Sequence, residues 1–333
     1  MLHGAIIAAG FIAPYAPETQ DRAFPFAPPA KLHFVDGAGR FHMIPFVYGL
    51  VERPVQPGIY GEDRSKTYPV RFFPFQKESV GMILPTRHLF GVEPPGRLFL
   101  LGTDGFGRDQ FSRLLYGGRI SLFSGLLAAF LSLSLGLILG ALAGFYGKWL
   151  DEAVMRGAEL FLALPWLYCL LILRAFLPLN ISAGQVFLLL ILVIGLRGWA
   201  RPARLIRGLV LSAKERNYVT AARGFGASSL YLLGRHVLPQ TFGVILTQAA
   251  LLIPQYVMGE VTLSFLGLGV GEPAPSWGNM LAVMQHYSVL ASYWWMSIPG
   301  LLLIPVFLAY YVLANAIHEH LHVGGPIRLM QSS

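Results

Sequence analysis

Two stretches of this chain, residues 120–147 and 241–258, contain no Asp, Glu, Lys or Arg. A helix needs about 20 apolar residues to cross a hydrocarbon core about 30 Å thick, and these stretches reach or approach that length. Of the 333 residues, 55% are hydrophobic and 13% charged, with mean hydropathy +0.57. A soluble domain carries about 25% charged residues, and half that supply does not cover a water-exposed surface. The chain therefore reads as an all-α polytopic membrane protein.

Spans are expected at about 120–145, 158–177, 185–200, 241–265 and 294–316. In the first, Gly136, Gly140 and Gly144 make two overlapping GxxxG steps, which let a neighbouring backbone approach closely in lipid. Tyr293, Trp294 and Trp295 open the last span as an interfacial aromatic belt. Residues 1–17 read as a partial first transmembrane helix, because the apolar run from Gly4 to Ala13 is stopped by Pro14 and Pro17 before it is long enough to cross. Residues 18–113 differ in kind: rich in Pro, Gly and aromatics, with 12 Lys and Arg against 10 Asp and Glu. Strands are expected at 32–35, 41–47 and 68–73, the first two joined by the turn Asp36-Gly37-Ala38-Gly39, giving a small β-containing insert.

Orientation follows from the loops. Residues 197–236 carry eight basic residues and one acid, Glu215, whereas 266–292 carry no Lys or Arg and only Glu272. The positive-inside rule places the former in the cytoplasm and the latter outside. Counting spans backwards puts the insert outside and both termini inside. Domains are thus expected as 1–17, the insert 18–113, a transmembrane region 114–317 that includes a cytoplasmic loop 201–239, and a tail 318–333.

The basic loop contains Tyr218-Val219-Thr220-Ala221-Ala222-Arg223-Gly224-Phe225-Gly226 and ends Arg235-His236-Val237-Leu238-Pro239. A short helix to Arg223 is expected, then a break at Gly224 and Gly226. A second helix follows, capped by Ser228 or Ser229 and ended by Pro239. Leu230, Leu233 and Val237 fall at i, i+3 and i+7, one apolar stripe. Small Ala221 and Ala222 permit close docking, Arg223 offers bidentate contacts to carboxylates, and Gly226 permits a turn that a side chain blocks.

Several chemistries are excluded or weak. The net charge of +8 fits cytoplasmic loops rather than nucleic-acid binding. Cys169 is the only cysteine, so no intrachain disulfide or Cys-cluster metal site forms. Gly147-Lys148 lacks the preceding glycine of a P-loop, since Leu142 stands there, and no Gly-x-Ser-x-Gly elbow occurs. The loose dinucleotide pattern after Gly269 runs into Pro273 and Pro275, where no helix can start. His318-Glu319-His320-Leu321-His322 is a literal HExxH, the zinc-protease signature, but no third ligand is evident and Gly324-Gly325-Pro326 ends the helix. That pattern keeps a membrane zinc metalloprotease using His318, Glu319 and His322 as a minor alternative. Glu260 is the one acid inside the 241–265 span. It must face protein or a water-filled path, so it either lines a translocation cavity or makes a structural hydrogen bond, and the two readings weigh equally. Arg174 is expected to snorkel to the outer interface. A secondary transporter would need more intramembrane ionisable groups than Glu260 and Arg174.

The spacing Ala-Ala, three residues, Gly, then eleven residues to Leu-Pro resembles the "EAA" loop of bacterial ABC importer permeases. So do Leu101-Gly102-Thr103-Asp104-Gly105-Phe106-Gly107-Arg108-Asp109 with Ser112-Arg113, Gly118-Arg119-Ile120-Ser121-Leu122, Leu263-Ser264-Phe265-Leu266-Gly267-Leu268-Gly269 and Pro275-Ser276-Trp277-Gly278, which resemble the dipeptide/oligopeptide/nickel subfamily and its C-type, second permease subunit. The resemblance covers roughly residues 98–310. It implies a type I permease-like helical bundle in the bacterial inner membrane, non-catalytic and without a cofactor of its own. It also implies a B-type permease partner, two ATP-binding subunits that hold ATP and Mg²⁺, and an extracytoplasmic solute-binding protein. Coupling would pass through Thr220, Ala221, Ala222, Arg223, Gly224, Gly226, His236, Leu238 and Pro239. Three features depart from the family: Thr220 replaces its Glu, the insert is long, and the tail lacks an acidic ending.

Overall fold

The computed structural model describes residues 2–53, 58–76, 86–165, 168, 172 and 182–323. They divide into two compact units, residues 1–122 with 263–302 and residues 123–262 with 303–333.

In the first unit, the segment expected as a partial span forms two short helices, α1 (Leu2–Ile7) and α2 (Ala9–Ile12), with Ile6, Ala9 and Ala13 buried. Ala13 is extended, as the residue before Pro14 must be. The insert is built on an antiparallel meander of β1 (His33–Val35), β2 (Phe41–Glu52) and β3 (Tyr60–Pro69). Asp36 organises the β1–β2 turn, its carboxylate accepting from the backbone N–H groups of Ala38 and Arg40, both at 2.9 Å. Those hydrogen bonds, that from Arg40 first, hold its carboxyl well below the usual range. Val47, Val70, Val92 and Leu98 form a small core under the sheet. β3 differs from expectation. Its sequence is polar, yet it pairs along β2 as an edge strand, and exposed charge there discourages pairing with another chain. Of the strand expected at 68–73, only Arg71–Phe72 pairs separately, with Phe90–Gly91.

Residues 263–302 belong to this same unit as the insert. Ser276 and Asn279 form a capping box that opens a short helix at Trp277. The Trp277 indole is fully buried and donates to the Leu114 carbonyl at 2.9 Å, while its backbone N–H donates to Ser121 Oγ at 3.1 Å. Motif residues far apart in sequence thus converge here.

Helix α3 (Gln110–Tyr146) starts about ten residues before the expected span. Asp109 caps it, accepting from the Ser112 N–H at 2.8 Å. Gln110, Ser112 and Arg113 are buried against protein, which hydropathy alone does not reveal.

Within the second unit, α3 is followed by α4 (Lys148–Ala163), α5 (Ala183–Gly198) and α6 (Ala200–Lys214). Helix α4 covers the first residues of the span expected at 158–177, and Leu164 after it is extended because Pro165 follows. Beyond 165, Tyr168 and Ile172 are helical, and the other residues of that expected span, including Cys169 and Arg174, lie outside the described residues. The GxxxG stripe packs as the small residues suggest. A Cβ on Gly140 would stand 2.4 Å from the Ala203 carbonyl oxygen, and one on Gly144 2.8 Å from that of Arg207. Only hydrogen fits where α3 and α6 cross. Lys214 Nζ then donates to the Gly144 carbonyl at 3.0 Å, and Arg207 pairs with Asp151 of α4, one contact at 2.5 Å.

Among the described residues, four helical stretches are long and apolar enough to cross a membrane: Gln110–Tyr146, Ala183–Lys214, Ser229–Phe265 and Trp294–Ile317. The last continues as helix to Val323.

Candidate functional site

After α6, the basic loop forms α7 (Asn217–Gly224), as its sequence suggests. Its end is closed by paired backbone bonds, Gly226 N–H to the Arg223 carbonyl at 3.0 Å and Ala227 N–H to the Ala222 carbonyl at 3.1 Å. This Schellman closure needs a left-handed residue at Gly226, whose φ is +85°. Ala221 and Ala222 sit in the last turn, and their carbonyls accept the closing bonds from Phe225 and Ala227. Thr220 and Arg223 are exposed.

Ser228 caps the next helical segment, its hydroxyl accepting from the Tyr231 N–H at 3.3 Å. Here the structure corrects two expectations. Pro239 does not end a helix, because helical residues continue from Ser229 to Phe265. A π-helical stretch, Leu232–Val237, and a 3₁₀ turn, Leu238–Thr241, precede α8 (Phe242–Phe265). The widened turn tolerates a proline that lacks an N–H and crowds the preceding carbonyl. The same extra residue shifts the apolar stripe. Leu232, Leu233 and Val237 are buried, whereas Leu230 is 74% exposed.

The loop thus has two faces. Beneath, Leu233 and Val237 join Ala141, Ile206, Val210 and Ala213 in one cluster, with Leu238 packed at its edge. Val219 is fully buried. Outside, Phe225 is 93% exposed, and Tyr218 and Tyr231 are also exposed. His236 lies between the two tyrosine rings, at 6.1 and 5.6 Å between centroids. Gln240 donates to the His236 carbonyl at 2.6 Å and to the Tyr218 hydroxyl, tying the two legs of the loop together. Every named coupling residue except Pro239 therefore lies in α7, its closure, or the leg packed on α6.

In α8, Glu260 is fully buried. Its neighbours Met258 and Gly259 line a cavity in this unit, and Glu260 is not among the lining residues. Glu319 is exposed on the last helix, while the side chains of His318 and His322 lie outside the described residues.

In the first unit, the motif residues Asp104, Arg108 and Arg113 have no partner evident from their sequence alone. The structure joins them to Glu272. Arg108 Nε donates to Asp104 at 2.7 Å, its Nη1 and Nη2 donate to the two Glu272 oxygens at 2.5 and 3.1 Å, and Arg113 Nη2 donates to Glu272 at 2.8 Å. The fork geometry of guanidinium suits such shared carboxylates. Asp109, close by, is fully enclosed. Burial raises its carboxyl to about 7, against the opposing Ser112 hydrogen bonds and with a further push from Asp104. A separation of 159–164 residues hides the Glu272 pairing from any local pattern.

The family described as "Binding-protein-dependent transport system inner membrane component" matches residues 136–323. The dipeptide transport system permease protein DppC of Bacillus subtilis is 35% identical over 229 residues, which span 68% of this chain and 69% of that protein. The oligopeptide transport system permease protein OppC of the same organism is 39% identical over 195 residues, 59% of this chain and 62% of its own. Among solved structures, a chain of the inward-facing MetNI methionine ABC transporter aligns with a TM-score of 0.45 and 16% identity, covering 62% of this chain and 95% of that one.

Proposed function

This chain belongs to the family of binding-protein-dependent transport system inner membrane components, and on that premise we propose that it forms half of a peptide pathway whose energy enters through the loop 211–239. It is a multi-pass permease subunit of an ABC importer in the bacterial inner membrane. The cargo is peptide, as in the named relatives, and a B-type permease supplies the other half of the path. Two ATP-binding subunits dock on the cytoplasmic loop and carry ATP and Mg²⁺, so this chain is non-catalytic and has no cofactor. A solute-binding protein delivers cargo from outside. Thr220, Ala221, Ala222, Arg223, Gly224, Gly226, His236, Leu238 and Pro239 make the coupling element, and Glu260 belongs to the helix beside the path.

One observation carries this reading: a closed, internally braced loop holds Phe225 almost fully in solvent above a packed apolar base. An isolated large apolar side chain on a rigid mount suits insertion into a partner's groove. Phe225→Asp removes that insert without touching the base. In membranes carrying the whole complex, the variant should accumulate normally while the ATP-binding subunits no longer co-purify and uptake is lost. Gly226→Asp should do the same by straining the left-handed closure, at about 1–2 kcal/mol. Wild-type uptake in both variants would remove the loop from the mechanism.

A further inference from the structure

A guanidinium inside a bilayer needs an anionic or hydrogen-bonding partner, and charged groups at that depth mark substrate paths. Arg197 and Arg201 are four residues apart on the helical run Ala183–Lys214, hence on one face. At 1.5 Å per residue they stand about 21 and 27 Å from its first residue, in the second half of a 32-residue candidate span. Sequence reading counted both with the cytoplasmic loop. Both line a cavity of about 470 Å³ in the second unit, together with Gln255, Tyr256, Met258 and Phe307. That volume is in the range of small-molecule sites.

The cavity is built for an anion. Among the described residues its lining has two cations and no acid. Arg197 Nη2 donates to the Leu164 carbonyl at 3.2 Å, but its Nε is buried and has no hydrogen-bond partner among the described residues. Neither arginine forms an ion pair among the described residues, in contrast to Arg207 a few residues on. Gln255 is exposed midway along α8, next to Pro254. Met258 and Phe307 give the remaining wall an apolar, adaptable surface, since an unbranched thioether fills varied shapes.

We propose that this cavity receives the C-terminal carboxylate of the peptide in transit, held by Arg197 and Arg201. The inference rests on the peptide-import reading and extends it to the group recognised within the membrane. Gln255 meets the adjoining amide, and the variable side chains lie against Met258 and Phe307. Two guanidinium groups match a carboxylate as a fork matches a fork.

The test uses the complete transporter in vesicles with its binding protein, moving trialanine or trialanine amide. Because the binding protein is a separate chain, its own preference is the same for every variant and cancels. Arg201→Gln and Arg197→Gln should each slow trialanine uptake about tenfold, the loss of one charge-assisted contact, and leave the amide unchanged. Arg201→Lys should recover part of the difference. An equal slowing of acid and amide would mean a structural role and overturn the proposal, as would no change in either. If the variants' effect follows the fraction of phosphatidylglycerol in the vesicles and not the peptide's terminus, a lipid phosphate fills the cavity and the proposal fails. Wild-type vesicles that move neither peptide on ATP would instead overturn the peptide reading itself, and this inference with it.

Discussion

Arg108 and Arg113 in the first unit have side chains 4% and 2% exposed, and each contacts both Asp104 and Glu272. Arg216, Arg223 and Arg235 in the loop 201–239 are exposed and have no carboxylate partner among the described residues. The two groups of arginines answer to different costs. A buried guanidinium must be paired within the fold, because the interior offers no water to solvate it. An exposed one is already solvated and remains open to a partner's carboxylate. The buried group therefore holds the chain to itself, whereas the exposed group is available for another chain.

That contrast can be broken first at Glu272. Glu272→Ala leaves two buried cations sharing Asp104; removal of one partner from a fully buried pair costs about 3–5 kcal/mol, and the 42% exposure of the Glu272 side chain brings the expected loss below that range. The thermal unfolding midpoint of the detergent-solubilised complex should fall clearly, and an unchanged midpoint would show that water already screens the cluster. Second in size is a pH effect. The Asp109 carboxyl lies near 7 in the fold and near 3.8 when unfolded. Between those values the folded chain binds more protons, so stability declines as pH rises, by on the order of 1 kcal/mol per pH unit. Asp109→Asn keeps the cap and should remove this slope; equal slopes for both proteins would place the titration elsewhere. The smallest change in stability belongs to Arg223→Ala, expected within about 0.5 kcal/mol. Its effect should appear instead as weaker retention of the ATP-binding subunits, measured by co-purification. A large loss of stability with retention intact would reverse the contrast.

What could be read in the sequence tracks how local the physics is. The charge-free runs identified α3 and α8 because a bilayer imposes composition on each span by itself. The α7 helix and its glycine break were legible for the same reason: Gly226 is needed by a backbone closure six residues wide. The polar start of α3 was not, since Gln110 and Arg113 are buried by residues distant in the chain. Nor was β3, whose Glu62, Asp63, Arg64 and Lys66 suit an edge strand and mimic a loop. Leu230 was misplaced because a periodicity of 3.6 does not anticipate a π turn. Arg197 and Arg201 were visible as basic residues. Only the helical run Ala183–Lys214, through α5 and α6, brings both to the wall of one cavity, and their i, i+4 spacing was the available signal.

The helical run from Ser229 to Phe265 has a mechanical consequence. Thirty-seven residues at 1.5 Å each make a strut of about 55 Å. It begins three residues past Gly226 and carries Gln255 and Met258 along its length. Three bending points lie between its Ser229 end and those two side chains: the π turn, the 3₁₀ turn and Pro254. A tilt imposed at that end would therefore reach them through a jointed lever and not a rigid rod.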